Sequence, residues 1–204
     1  MSTGTTEKST VYIVDDDQAI RHAMELLMRS VGLDYEIFHS ADDFLSNHSN
    51  DRAGCLVLDI RMPGLGGLEL QEKLNDTGST LPIIFITGHG DVPMAVEAMQ
   101  KGAVDFIQKP FRDQELLDRV SEALTTDQQR RSAREEKAEV LSRIEKLTNR
   151  ERQVLDLVVT GKPNKVIAYE LGVSQRTVEI HRARVMEKMQ AKSLADLVRM
   201  HLAS

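Results

Sequence analysis

Cysteine is scarce in this chain and long apolar runs are missing. One cysteine, Cys55, among 204 residues excludes an internal disulfide. Its place inside the run Cys55-Leu56-Val57-Leu58 reads as a buried thiol in a reducing compartment. No stretch of about 18 apolar residues occurs, which excludes a membrane-spanning helix. The polar opening Met1 to Thr10 lacks a signal-peptide pattern. The expectation is a soluble, cytoplasmic protein with no membrane partner. Tandem repeats and low-complexity segments are also missing, so the chain is read as ordinary globular domains, and its length suits two small cores.

Charge is present but unevenly spread. The net charge is -6, yet residues 1 to 124 hold 10 basic and 21 acidic residues, net -11, and residues 148 to 204 hold 10 and 6, net +4. Residues 125 to 147 hold 6 and 5. An acidic first part joined to a basic tail fits one end that binds cations and another that approaches a polyanion. A solvated surface of uneven charge is the plainer alternative.

The stretch Cys55-Leu56-Val57-Leu58-Asp59-Ile60-Arg61-Met62-Pro63-Gly64 organises the rest. Its apolar residues end in one carboxylate and a Pro-Gly turn follows, the pattern of a buried parallel strand that delivers Asp59 to a loop at its carboxyl end. The same pattern of apolar run, turn and amphipathic segment recurs along the chain. Val11 to Val14 leads through Asp15-Asp16-Asp17 into Ala19 to Val31, with Asp17 placed to cap that helix. Tyr35 to His39 precedes Ala41 to Ser46, Cys55 to Asp59 precedes Gly67 to Leu74, and Pro82 to Thr87 precedes Val92 to Gly102. A fifth strand, Asp105 to Gln108, passes through Lys109-Pro110-Phe111 to a helix from Asp113 to about Leu124. Five βα units predict a parallel sheet with helices on both faces.

Strand ends in such a sheet converge on one crevice, so Asp15, Asp16 and Asp59 should meet there. Three carboxylates together repel, and a hard divalent cation relieves the conflict; oxygen ligands with retained water suit Mg²⁺. Thr87 and Lys109, at the ends of the fourth and fifth strands, would add a hydroxyl and an ammonium. A carboxylate nucleophile, a metal, a hydroxyl donor and a lysine are the parts that phosphoryl transfer to an aspartate requires. Taken singly, the aspartates could merely cap helices and Lys109 could merely pair with one of them.

Residues 125 to 147 lack Pro and Gly and favour helix, with Val140, Leu141, Ile144 and Leu147 at helical spacing, so a helical linker is predicted. Residues 148 to 204 predict a small all-α domain. Thr148 and Glu151 match a capping box for a helix ending near Gly161. Asn164 can cap a second helix that Gly172 stops, Ser174 caps a third running to about Met189, and a fourth runs from Ser193 to Leu202. The second and third make a helix-turn-helix. At 100° per residue, Val178, Val185 and Met189 share the core side of the third helix, while Arg176, Glu179, Ile180 and Ala183 point away. An Ile among charges on that face suits a major groove, where Ile180 could meet a thymine methyl, Glu179 a cytosine amine and Arg176 guanine or phosphate. Thr177, His181, Arg184 and Lys188 form a flanking stripe suited to phosphates, and Lys165 could add another contact. A protein-binding module is the alternative for a small basic helical domain.

With Met62-Pro63-Gly64, Gly88-His89-Gly90-Asp91 and Lys109-Pro110-Phe111 added to the five polar positions, residues 10 to about 124 resemble a two-component receiver domain. That resemblance implies a flavodoxin-like, doubly wound α/β fold. It also implies that Asp59 takes phosphate from a sensor histidine kinase, and that Asp15, Asp16 and the backbone carbonyl of Arg61 help hold Mg²⁺. It further implies that Thr87 and Phe106 form a switch, that the receiver pairs into a homodimer on phosphorylation through a surface carrying Pro93, Met94 and Val96, with release of a covered DNA-binding domain as the alternative, and that Lys109-Pro110 is commonly cis. Gly66 stands where the family often has a polar residue. Residues 147 to 202, through Leu147 to Leu155, Gly161, Asn164 to Ala168 and Ser174 to His181, resemble the LuxR-type DNA-binding domain, which adds Gln175 to the DNA-binding set. Together the halves resemble FixJ-like response regulators, implying a transcriptional regulator, favouring activation, with double-stranded DNA as a partner and RNA polymerase as a further one. A hydrolase of the haloacid-dehalogenase kind needs an Asp-x-Asp loop, and this chain reads Asp59-Ile60-Arg61-Met62, so no enzyme is expected. The remaining alternative is a receiver-like interaction module that is never phosphorylated and carries a DNA-binding tail.

Overall fold

The computed structural model describes residues 9–88 and 92–203, and the chain folds as two compact units, Met1–Arg130 and Arg131–Ser204. The first unit alternates β1 (Thr10–Val14), α1 (Gln18–Ser30), β2 (Asp34–Phe38), α2 (Ala41–Asn47), β3 (Gly54–Asp59), α3 (Gly67–Asp76), β4 (Ile83–Thr87), α4 (Val92–Gln100), β5 (Asp105–Gln108) and the start of α5 (Asp113–Glu145). All strand pairs are parallel, in the order β2-β1-β3-β4-β5. The expected five-stranded, doubly wound α/β fold is thus present.

Why both faces are covered follows from the two-residue period of a strand. Val11, Ile13, Cys55, Val57, Ile84 and Ile86 project to one side, where they pack with Met24 and Met28 of α1 and Leu116, Val120 and Ala123 of α5. Their neighbours Tyr12, Val14, Leu56, Leu58, Ile83 and Phe85 project to the other, against Phe44 of α2, Leu70 and Leu74 of α3 and Ala98 of α4. A strand that must be apolar on both faces reads as a continuous run, which is why β3 and β4 show no alternation in the sequence. Cys55 lies fully inside the first of these layers. Burial, with Asp127 nearby, pushes its thiol up to about 12.

The order of strands also creates the site. β1 and β3 are neighbours whose following helices lie on opposite faces, α1 in one apolar layer and α3 in the other, so a crevice opens beyond the carboxyl ends of β1 and β3. Asp15 directly follows β1 and Asp59 ends β3. Asp17 caps α1 by accepting from Ala19 N–H at 2.7 Å, as expected. Gly67 lets α3 come close behind Asp59: a Cβ there would run into the Asp59 carbonyl oxygen and lie 3.0 Å from both Ile60 Cα and a Phe85 ring carbon.

In the second unit, α6 (Asn149–Val159), α7 (Asn164–Leu171), α8 (Gln175–Met189) and α9 (Leu194–Ala203) surround a core of Val140, Leu147, Val154, Leu155, Val158, Ile167, Val178, Val185, Met189 and Leu197. Thr148 and Glu151 form the expected capping box, with Thr148 N–H donating to Glu151 Oε2 at 2.8 Å. α7 ends at Gly172, whose φ of 65° is the left-handed conformation that glycine adopts without strain. Two boundaries differ from expectation. The helix expected to stop near Leu124 continues through the linker as one 33-residue helix, because no Pro, Gly or capping side chain interrupts it. Asn164 is not the cap of α7; Pro163 occupies that position, and the Asn164 side chain instead accepts from Arg182 Nη1 at 2.9 Å.

Gly67→Ala should lower the stability of the first unit by about 1–3 kcal/mol, the usual range for overpacking against backbone. Urea unfolding followed by circular dichroism measures it, and an unchanged midpoint would show that α3 can retreat.

Candidate functional site

The crevice gathers three carboxylates whose nearest oxygens all lie within 4.8 Å of one another: Asp15, Asp16 and Asp59. They differ in setting. Asp15 is 1% exposed and Asp59 9%, whereas Asp16 faces solvent. The loop after β1 is fixed by its own backbone: Asp17 N–H donates to Asp15 Oδ1 at 2.8 Å, and Arg21 Nη1 donates to the Asp15 carbonyl at 2.7 Å.

Lys109 supplies the one ammonium bonded to these oxygens among the described residues. Its Nζ lies 3.0 Å from Asp15 Oδ2 and 3.3 Å from Asp59 Oδ2. Burial pulls the Lys109 ammonium down, but Asp15 and Asp59 outweigh it and raise it above its ordinary value, so it stays charged. Burial also raises the Asp59 carboxyl; Lys109 opposes that shift and Asp15 adds to it. Three carboxylates against one ammonium leave an excess of negative charge in a half-enclosed oxygen cluster. That donor set fits a divalent cation such as Mg²⁺, and it offers nothing to a soft metal. The Lys109-Pro110 bond is cis.

Thr87 is buried beside this cluster, and its hydroxyl donates to the Ile107 carbonyl of β5 at 3.5 Å, a long bond. Phe106, one residue earlier on β5, turns outward and is 41% exposed. It shares an exposed apolar surface with Pro93, Val96 and Met99 of α4. Met94, which the sequence suggested for that surface, is partly buried against the core, and Met99 was missed although it lies one helical turn beyond Val96. His89, Gly90 and Asp91 of the loop motif lie outside the described residues.

In the second unit the expected outward face of α8 is outward. Gln175, Arg176, Glu179, Ala183 and Arg184 are exposed, and Ile180 is 47% exposed. Lys165, on α7, is exposed too. Thr177 and His181 are only half-exposed; Thr177 belongs to the cap of α8, its N–H donating to Ser174 Oγ at 3.1 Å.

Lys188 differs from its expected place in the phosphate-facing stripe. Its Nζ lies 2.6 Å from Glu151 Oε2, on a carboxylate 2% exposed, and also donates to the Lys146 carbonyl at 3.2 Å. The reason is positional: Glu151 already turns back to cap α6, so its second role is to neutralise the ammonium that α8 brings over it. Lys188 holds the Glu151 carboxyl down at about 2. Two further cations that the sequence reading left out pin α8 in the same way. Arg143 donates to the Met189 carbonyl at its end (3.0 Å), and Arg182 reaches Asn164. Arg182 was legible in principle, since it follows Val178 by four residues and so points inward, where a cation needs a partner.

A parallel sheet with an acidic crevice at its switch point, followed by a helix-turn-helix with an exposed mixed face, defines a receiver joined to a DNA-binding module. Comparison with known proteins agrees. Residues 11–121 match the response regulator receiver domain, and residues 145–201 match the luxR family of bacterial regulatory proteins. The chain is 52% identical over 200 residues to nodulation protein W of Bradyrhizobium diazoefficiens, covering 97% of this chain and 88% of that one. It is 49% identical over 197 residues to the transcriptional regulatory protein FixJ of Rhizobium meliloti, covering 95% of each. The solved structure of the response regulator StyR superposes with a TM-score of 0.89 at 45% identity, covering 97% of this chain and 100% of that one. The chain belongs to the two-component response regulators that carry a LuxR-type DNA-binding domain and regulate transcription. No described helix is long and apolar enough to cross a membrane.

Lys188→Met should destabilise the second unit at pH 7 by about 1–3 kcal/mol, because it leaves the Glu151 carboxylate buried without its cation. The Glu151 pKa is depressed from 4.5 to about 2 on folding, so its contribution is complete above about 4.5 and is lost as pH falls towards about 2. The gap between variant and wild type in chemical denaturation should close over that interval. A gap that persists unchanged at pH 2.5 would assign the loss to packing of the lysine stem.

Proposed function

We propose that Asp59 accepts a phosphoryl group from the phosphohistidine of a sensor histidine kinase, and that the acyl phosphate promotes dimerisation and DNA binding to activate transcription. The observation that carries this reading is the Asp59 carboxylate at the mouth of the crevice, 3.3 Å from the Lys109 ammonium and beside two further carboxylates. An Asp59 oxygen attacks phosphorus as the bond to the kinase imidazole breaks; the ring nitrogen keeps that electron pair and takes up a proton. Mg²⁺ held by Asp15, Asp16, Asp59 and the main-chain carbonyl of Arg61 would supply the positive charge that lets two anions approach. Lys109 then neutralises a phosphoryl oxygen, and the Thr87 hydroxyl leaves Ile107 to bond another. The space Thr87 vacates admits the Phe106 ring. That movement reshapes the surface of Pro93, Val96, Met99 and Phe106, which buries itself against a second receiver about a two-fold axis.

Pairing of receivers brings two copies of α8 to a roughly palindromic site on double-stranded DNA, raising affinity by effective concentration. Arg176, Glu179 and Ile180 read base edges, while Lys165, Gln175, Thr177, His181 and Arg184 position the helix on phosphates. Lys188, held by Glu151, acts through the placement of α8. RNA polymerase is the partner that activation requires.

A small phosphodonor with Mg²⁺ should label the wild type and not Asp59→Asn, and phosphorylated protein should sediment as a dimer. Acid-labile phosphate on Asp59→Asn, or a fully labelled monomer, would overturn the corresponding half of the reading. Asp16→Ala should weaken Mg²⁺ binding in a metal titration; unchanged affinity would remove Asp16 from the set.

On DNA, Arg184→Ala should reduce the salt dependence by about one phosphate contact for every sequence, whereas Glu179→Ala and Ile180→Ala should alter which bases are preferred. The same uniform loss for all three variants would show that α8 does not read bases through this face.

A further inference from the structure

The buried stripe of α5 in the first unit runs through Leu116, Val120 and Ala123, all 0% exposed. The next position of the stripe is Asp127, only 2% exposed, and nothing in the phosphorylation chemistry uses it. Its Oδ2 accepts the N–H of Gly54, also buried, at 2.9 Å. Gly54 is the first residue of β3, where the chain passes so close to the Thr10 backbone that no side chain could fit. One carboxylate therefore ties the helix to the foot of the strand whose other end is Asp59.

A buried charge is a poor source of stability compared with an apolar residue of similar size, and its best-attested use is to fix register. α5 needs such a device. Apart from the solvent-accessible ion pair of Arg119 with Asp105 of β5 (2.8 Å), which is worth little, the contacts of α5 with the core layer are apolar and non-directional, so they tolerate small slides and rotations. The helix starts at Asp113, four residues after Lys109, passes Asp127 about 21 Å later and continues about 27 Å further to Glu145. We propose that Asp127 is a positioning residue that locks α5 in register on the sheet, so that displacement of the Lys109-to-Phe111 loop is passed along the helix beyond Arg130 instead of being lost by slippage. The role in signalling rests on phosphorylation of Asp59 as proposed above; the lock itself does not.

Hydrogen exchange on the full-length protein tests both parts, using Asp127→Leu, which continues the apolar stripe, and Asp127→Asn, whose carbonyl oxygen can still accept from Gly54. Without phosphodonor, the Gly54 amide should exchange at least about tenfold faster in Asp127→Leu and near the wild-type rate in Asp127→Asn. With phosphodonor and Mg²⁺, exchange across residues 128 to 139 should change severalfold in the wild type and Asp127→Asn, and less than about twofold in Asp127→Leu. A thermal midpoint of Asp127→Leu at or above that of the wild type would separate lost register from lost fold. Unchanged Gly54 protection in Asp127→Leu, or a phosphorylation response equal to the wild type, overturns the proposal. Should the leucine variant fail to fold, an asparagine variant that protects Gly54 but has lost the response also overturns it. Phosphate incorporation is read in the same samples: its absence from the wild type refutes the phosphoacceptor reading, while the first comparison still decides the lock.

Discussion

Everything in the first unit depends on an electrostatic conflict held at one edge of an apolar sheet. Asp15 and Asp59 are brought out of water within reach of Asp16, and one ammonium answers three carboxylates. Repulsion of that kind grows as the local dielectric falls, so it persists only where the backbone leaves the carboxylates no way to move apart. Parallel pairing of β1 with β3 and the close approach of α3 at Gly67 provide that restraint. The two apolar layers supply the stability that the crevice lacks.

Much of this was legible because the signals were local. A fully buried parallel strand is a short apolar run, and the residue that ends it reaches the crevice whatever the details of packing, so Asp59, Thr87 and Lys109 could be placed from the order of runs alone. Capping side chains such as Asp17 and Thr148 were equally plain, since the residue and its partner lie within a few positions. What failed was everything requiring knowledge of a neighbour. The wheel of α8 puts Lys188 off the core side, but only the fold brings Glu151 beneath it. Met94 and Met99 lie on one helix with similar chemistry, and which of them faces the sheet depends on where α4 begins to pack. The linker was legible as helix from its composition, but its fusion with the helix before it was not, although no stop signal lies between them.

The two units hold their working residues by different means. In the first, the crevice carboxylates are positioned by strand ends and short loops, and Asp15 is held by the backbone N–H of Asp17 and the Lys109 ammonium. In the second, α8 is held by cations that reach the backbone or buried acceptors: Arg143 on Met189, Arg182 on Asn164, Lys188 on Glu151 and Lys146. These ties are directional where the apolar core is not, and they fix the rotation of a helix whose exposed face carries the residues suited to DNA.

Cys55 adds a quieter property. Cys55 is buried in the sheet, and that burial pushes its thiol up to about 12, so the thiolate is strongly disfavoured at neutral pH. Peroxides and alkylating reagents act on thiolates, so the native chain should be chemically silent towards them at this position. A cysteine introduced elsewhere could then carry a probe without competition from the natural one.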